Sequence, residues 1–366
     1  MEPLQQNKRL NSLDILRGFD LFVLVCLGPI IKWLAANTKL LPAAVGAQFF
    51  HTEWTGMTFW DIIMPLFMFM AGVSMPFSFA KYSGAGVHVR IARRVVLLFI
   101  LGAIIQGNLL LLKPESLRLY SNTLQAIAVG YLISAMFILN FKLRGQIIAT
   151  CAIFAVYWLA MAVGGDYTPD GNFAELVDRK VLGRFRDLAS VKDGVVHFAP
   201  NYRYTWILSS LNFGVTVMLG VFCGHIMRRD ISKLKNAASM LVFGLLLIAF
   251  GYLASLEMPV IKKIWSSSFT LVSGGWCVLL MAFSYWLIDC AKFTAGLNWL
   301  KIYGMNAIAA YVISSRIDFR SIPESVFFGL KPFLEGYYPF FINLCQYGII
   351  FLILLMLYRH KIFLKV

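Results

Sequence analysis

Apolar residues run through this chain in blocks about twenty residues long, parted by short stretches that gather lysine, arginine, glycine and proline. A helix needs roughly 20 apolar residues to cross the hydrocarbon core of a bilayer. Blocks of that length fall at about 13–35, 57–80, 90–112, 119–140, 145–163, 205–227, 236–256, 267–290, 296–315 and 338–358. The pattern predicts ten transmembrane helices, the ninth interrupted by Lys301 and Asn306. Nothing soluble separates the blocks, so the expected fold is an all-α integral membrane bundle, one domain over 1–366. Asp14, Arg17 and Asp20 lie inside the first block, unlike the clean apolar core of a cleaved leader. It is therefore read as a retained helix, although Ala43–Ala47 resembles a cleavage site.

Composition agrees. The 366 residues are 59% hydrophobic and 14% charged, against roughly 45–50% apolar in soluble domains. The net charge of +15 sits in loops between apolar blocks, not in a stripe interleaved with aromatics, so it speaks for topology and not for nucleic-acid binding. With the N-terminus inside, sixteen basic residues, from Lys8 and Arg9 through Lys81 to Lys365, face the cytoplasm, and eight face the other way when the 165–204 loop is left out. This asymmetry puts both termini in the cytoplasm and His51 outside. Short loops and compact length suggest a bacterial cytoplasmic (inner) membrane. Homo-oligomerisation is left open.

The one long polar loop, 165–204, holds six acidic and six basic residues with Phe198, Tyr202 and Tyr204. It reads either as a lid or substrate-binding loop or as a plain solvated connection. The six cysteines lie within or at the edges of apolar blocks without a CxxC pair, so they read as core residues, with no disulfide framework and no metal site.

Candidate chemistry concentrates at His51-Thr-Glu53-Trp54-Thr-Gly56, followed by Asp61 and Pro65. Ionisable groups at a membrane boundary are costly, and their default reading is a site. His51 above a cavity into which Asp61 points is the arrangement of a general base and its orienting carboxylate. Equally, Asp61 caps its helix and His51 is a loop residue. Asn122 and Gln125 share a face of the fourth block, Gln106 and Asn108 lie on the third, and Asn306 is in the ninth; such amides line a polar cavity or, more often, join helices. Asp14 and Arg17, at i and i+3, read as an ion pair, with Arg17 also able to meet a phosphate. Ser209, Asn212, Thr216, Gly220 and Gly224 form a small, polar stripe suited to close helix contact.

Several segments together resemble the heparan-α-glucosaminide N-acetyltransferase family of transmembrane acyltransferases. They are Ser12-Leu-Asp14-Ile-Leu-Arg17-Gly18, the run His51 to Gly72, Leu124-Gln125, the run Pro259 to Phe269, and Gly304-Met-Asn306. The resemblance implies acetyl transfer from acetyl-CoA to the amino group of a glucosamine on the far side of the membrane, with His51 as catalytic candidate. An amine attacking a thioester loses a proton, which suits an imidazole; whether His51 is base or acyl acceptor stays open. The chain departs from the family pattern at Gly28, where an asparagine is expected, and at Ala126, where an arginine is expected.

The expected function is thus a transmembrane acyltransferase that takes an acyl group from cytoplasmic acyl-CoA, its co-substrate, to an amino sugar or related glycan outside. His51 and Asp61 are the catalytic candidates, and Trp54, Gly56, Asn122, Gln125, Asn306, Arg17 and Asp14 the substrate- or cofactor-binding ones; Trp60 joins Trp54 in offering an apolar face. A transporter of a small polar or sugar-derived solute is the alternative, and a non-catalytic scaffold a third.

Overall fold

The computed structural model describes residues 10–80, 85–199 and 204–364. Lys8, Arg9, Lys81, Tyr202 and Lys365, used above for charge or for the loop, fall outside the described residues. The chain is an all-α membrane protein. Among the described residues eight helices are long and apolar enough to cross a bilayer. They are α1 (Asn11–Asn37), α3 (Phe59–Phe79), α5 (Thr123–Asn140), α6 (Leu143–Gly164), α8 (Ser209–Met227), α9 (Lys233–Ala254), α10 (Ser267–Cys290) and α14 (Phe328–Arg359). Between them come α2 (Ala43–Ala47), α4 (Ala85–Ile105), α7 (Phe173–Leu182), α11 (Asn298–Met305), α12 (Ala307–Arg316) and α13 (Ser321–Val326).

The two expected spans missing from the eight are helical but interrupted or charged. The 90–112 block forms α4, which carries Arg90, Arg93 and Arg94 and stops at Ile105. Beyond it the chain turns: a Cβ on Gly107 would lie 2.8 Å from the Arg118 carbonyl, and Asn108 and Leu112 take left-handed backbone angles. The apolar run Leu109–Leu112 is therefore an exposed single 3₁₀ turn, not the end of the long helix. The 296–315 block splits into α11 and α12 at Asn306, whose amide bonds the folded-back segment 362–364 instead of continuing a regular helix.

Helices α3 and α8 form the centre, apolar and buried on most faces, as a helix hydrophobic all round must be. They touch through glycine: a Cβ on Gly72 would lie 1.9 Å from the Val217 carbonyl, and one on Gly220 2.0 Å from that of Phe69. The small stripe expected of α8 is thus a helix-contact surface. Helix α1 widens by one turn at Val23–Leu27, where Gly28 N–H reaches the Val23 carbonyl; Pro29 follows and brings no N–H. Lys301 Nζ donates to Asn11 Oδ1 and Leu364 N–H to Asn306 Oδ1, so both described ends of the chain lie at one end of the bundle. Cys26, Cys223 and Cys277 are buried as expected, whereas Cys151 is exposed on α6.

The described part of the 165–204 loop contains defined elements. Asn172 caps α7, and Arg186, fully buried, pairs with Glu175 at 2.5 Å. Asp178 accepts from the Trp206 and Ile207 N–H groups, with burial raising its pKa to about 7. Asp187 accepts from Gln106 at 3.0 Å and lies 3.8 Å from Arg118. The small hairpin of Ser190–Lys192 and Val195–His197 is largely solvent-exposed. These contacts tie the described part of the segment to the bundle.

Candidate active site

The site begins with the turn that starts α3. Thr58 caps it: Asp61 Oδ2 accepts from the Thr58 backbone N–H and from its hydroxyl, each at 3.0 Å. That leaves Oδ1 of a fully buried carboxylate pointing at two other groups. His51 Nδ1 lies 2.6 Å away and Lys262 Nζ 3.2 Å away, and these two nitrogens are 3.2 Å apart. The two readings of Asp61, helix cap and histidine partner, are both realised, one on each oxygen.

The charges settle the tautomer. A carboxylate beside an ammonium is ionised and accepts, so His51 donates from Nδ1–H, and the Nε2 lone pair is left over. The His51 side chain is 41% exposed and borders the cavity described below. Its pKa is lowered: partial burial disfavours the imidazolium, the Lys262 charge adds to this, and the Asp61 hydrogen bond works against both. Burial lowers the Lys262 pKa to about 8, again opposed by Asp61. Lys262 has no counterpart among the residues singled out from sequence. The signal for it, a Lys-Lys pair between apolar blocks, enters the sequence reading as loop charge and as part of the Pro259–Phe269 run of the family resemblance.

Lys262 is carried by a loop that the bundle holds in place. Gly56 N–H donates to the Val260 carbonyl at 2.8 Å, joining the His51 loop to the lysine loop at a position where φ is +97°, which favours glycine. The polar half of the α8 stripe finishes the work: Ser209 donates to the Ile264 carbonyl, Asn212 to that of Trp265, and Thr216 accepts from the Trp265 indole.

A cavity of about 520 Å³ runs from this cluster through the bundle. His51, Lys262, Lys263 and Tyr204 line it at one end; Arg17, Arg94, Gly304 and Leu364 line it at the other; Met64, Phe67, Leu124 and Ile308 form apolar wall between. Trp60 also borders it, its ring covered by Lys32 Nζ at 3.6 Å. Arg17 Nη1 stands 4.0 Å from Asp14 Oδ1, a loose version of the expected pair.

Other expected lining residues serve the frame. Asn122 accepts from Leu124 N–H and donates to Gln106; Gln125 accepts from Ser121 N–H and donates to the Leu119 carbonyl; Asn306 bonds Ile362 and Leu364. Each is buried with its amide engaged by protein and absent from the cavity lining. Trp54 likewise faces away, donating to the Tyr167 carbonyl at 2.8 Å, and Asp14 is buried beside α11.

Fold and site together define an α-helical membrane protein with an internal passage that ends in basic groups on one side and a histidine–carboxylate–lysine cluster on the other. Residues 9–182 match the family model described as "Heparan-alpha-glucosaminide N-acetyltransferase, catalytic". The human protein "Heparan-alpha-glucosaminide N-acetyltransferase" is 24% identical over 364 residues, covering 83% of this chain and 52% of the relative. The chain thus spans about half the length of the curated relative it matches. Both matches support the resemblance read from sequence.

Proposed function

We propose that the chain is a transmembrane acyltransferase, a single domain that moves an acetyl or other acyl group from cytoplasmic acyl-CoA to the amine of an amino sugar or related glycan on the extracytoplasmic side. The observation that carries this reading is the cavity: it joins an arginine end to the free Nε2 of His51. A CoA thioester is a long molecule with phosphates at one end and a reactive carbonyl at the other, and the passage suits that polarity. Arg17 would meet a phosphate bidentately, the apolar wall would hold the pantetheine arm, and the thioester would lie near His51.

In the transfer itself the acceptor amine attacks the thioester carbonyl. A C–N bond forms, the C–S bond breaks, and the amine's proton passes to His51 Nε2 and then to the departing thiolate. Asp61 acts through Nδ1–H, orienting the ring and balancing the imidazolium as it forms. We place the protein in a bacterial inner membrane, with the ends of the bundle at Asn11 and Leu364 facing the cytoplasm.

Purified protein with acetyl-CoA and a panel of glucosaminides tests the proposal. Transfer should occur, and His51→Ala should reduce it by about 10²–10⁴-fold, the usual weight of a general base. Wild-type transfer in that variant would remove the mechanism. Solute flux into liposomes without any need for acyl-CoA would make the protein a transporter instead.

A further inference from the structure

Lys262 lies outside the segment that the family model covers, and it takes no direct part in the transfer step at His51 and Asp61. Its surroundings are those of a residue held for one. Its side chain is 8% exposed, and burying an ammonium is costly unless a partner balances it. Its backbone is pinned on both sides: Ser266 accepts from Ile261 N–H and donates to the Pro259 carbonyl, and Tyr157 donates to the Ile264 carbonyl at 2.6 Å. Trp265, three residues on, has φ +51°, a conformation that a bulky residue keeps only under restraint.

The chemistry supplies the reason. A carboxylate hydrogen-bonded to an imidazole stabilises the charged ring, and a histidine that holds its proton near neutrality is a poor base. An ammonium on the same carboxylate oxygen opposes this pull. We propose that Lys262 is a positioning residue of acyl transfer: by sharing Asp61 Oδ1 with His51 it holds the imidazole in its Nδ1–H tautomer, uncharged, with Nε2 free to take the amine's proton. The groups facing it are Asp61 and His51, Lys32 from α1, the adjacent Lys263, which donates to the Glu53 carbonyl, and Tyr204 across the cavity. Of these only Asp61 is an anion at neutral pH, so removing Lys262 leaves Asp61 to act on His51 with less opposition. The effect on rate rests on the acyltransferase reading; the effect on the His51 ring does not.

The test is a pH titration of the full-length protein in detergent, with ¹⁵N-labelled histidine followed by NMR and the His51 signal assigned by its loss in His51→Gln. In the wild type the ring should remain the neutral Nδ1–H form at pH 7. In Lys262→Met its protonation midpoint should move upward, and Lys262→Arg should return it toward the wild type; Lys262→Gln makes the same comparison if the Met variant does not fold. Acyl transfer by Lys262→Met should fall up to about 5-fold in kcat at pH 6.5 with KM for acetyl-CoA unchanged, and recover as pH rises, since a one-unit rise of a midpoint that starts at or below about 6.5 removes that share of the base form. A ring that titrates alike with and without the lysine overturns the proposal. Absence of transfer in the wild type would overturn the acyltransferase reading and leave the titration to decide the role of Lys262.

Discussion

The ring of Trp60 occupies the space that a side chain at Gly28 would need: a Cβ there would lie 2.0 Å from Trp60 Cζ3. A tryptophan at the cavity wall and an asparagine at position 28 thus compete for one space. Gly28→Asn should therefore lose about 1–3 kcal/mol of stability through overpacking, read as a lower melting temperature in detergent. Asparagine accepted at wild-type stability would show that Trp60 can move. Ala126 is fully buried in α5, so an arginine in its place would have to enter the core.

Asp61→Asn should keep the fold of the α3 start and lose the ion pair with Lys262. Under the proposed mechanism kcat falls about 10²–10⁴-fold, the range of general-base effects, and the residual activity no longer follows the titration of His51. Steady-state rates at saturating acetyl-CoA check this, with circular dichroism confirming that the helices persist.

The pH dependence has a definite sign. Burial and Lys262 lower the His51 pKa from the ordinary value of 6.5, so the base form is present at neutral pH and transfer falls only as pH drops below that value. Burial lowers the Lys262 pKa to about 8; there His51 already holds its base form, so the profile should pass from its acid limb to a level limb that continues through the loss of the lysine's charge. A log-rate profile from pH 5 to 9.5 reads both limbs, and an acid limb centred above 6.5 contradicts the expectation.

Arg17→Ala should raise KM for acetyl-CoA about 10-fold, the weight of one charge-assisted hydrogen bond, and leave kcat nearly unchanged. The same variant should treat S-acetylpantetheine, which carries no phosphate, as the wild type does. Equal losses with both donors would place the CoA phosphates elsewhere.

Much of the fold was legible in sequence because a bilayer imposes a length and a polarity on each helix that a single chain displays openly. The positions of eight spans and the contact stripe on α8 follow from local spacing, whereas spacing left Asp61 with two readings, helix cap and partner of His51. The boundaries that failed were those where a polar group was satisfied at a distance: α4 ended before its apolar run did, and the ninth block broke at Asn306 because the segment 362–364 takes its amide.

What the sequence determined by itself was that this is a membrane-embedded helical protein with an ionisable pair at one boundary, since hydropathy and the cost of burying charge are properties of short segments. Only the tertiary structure decided which polar residues meet. It brought Lys262 to Asp61 across 201 positions of chain, and it turned Asn122, Gln125 and Asn306 away from the cavity into hydrogen bonds with backbone or neighbouring amides. The physical reason is that a buried amide or ammonium takes whichever partner packing offers, and that choice depends on the arrangement of helices far apart in sequence.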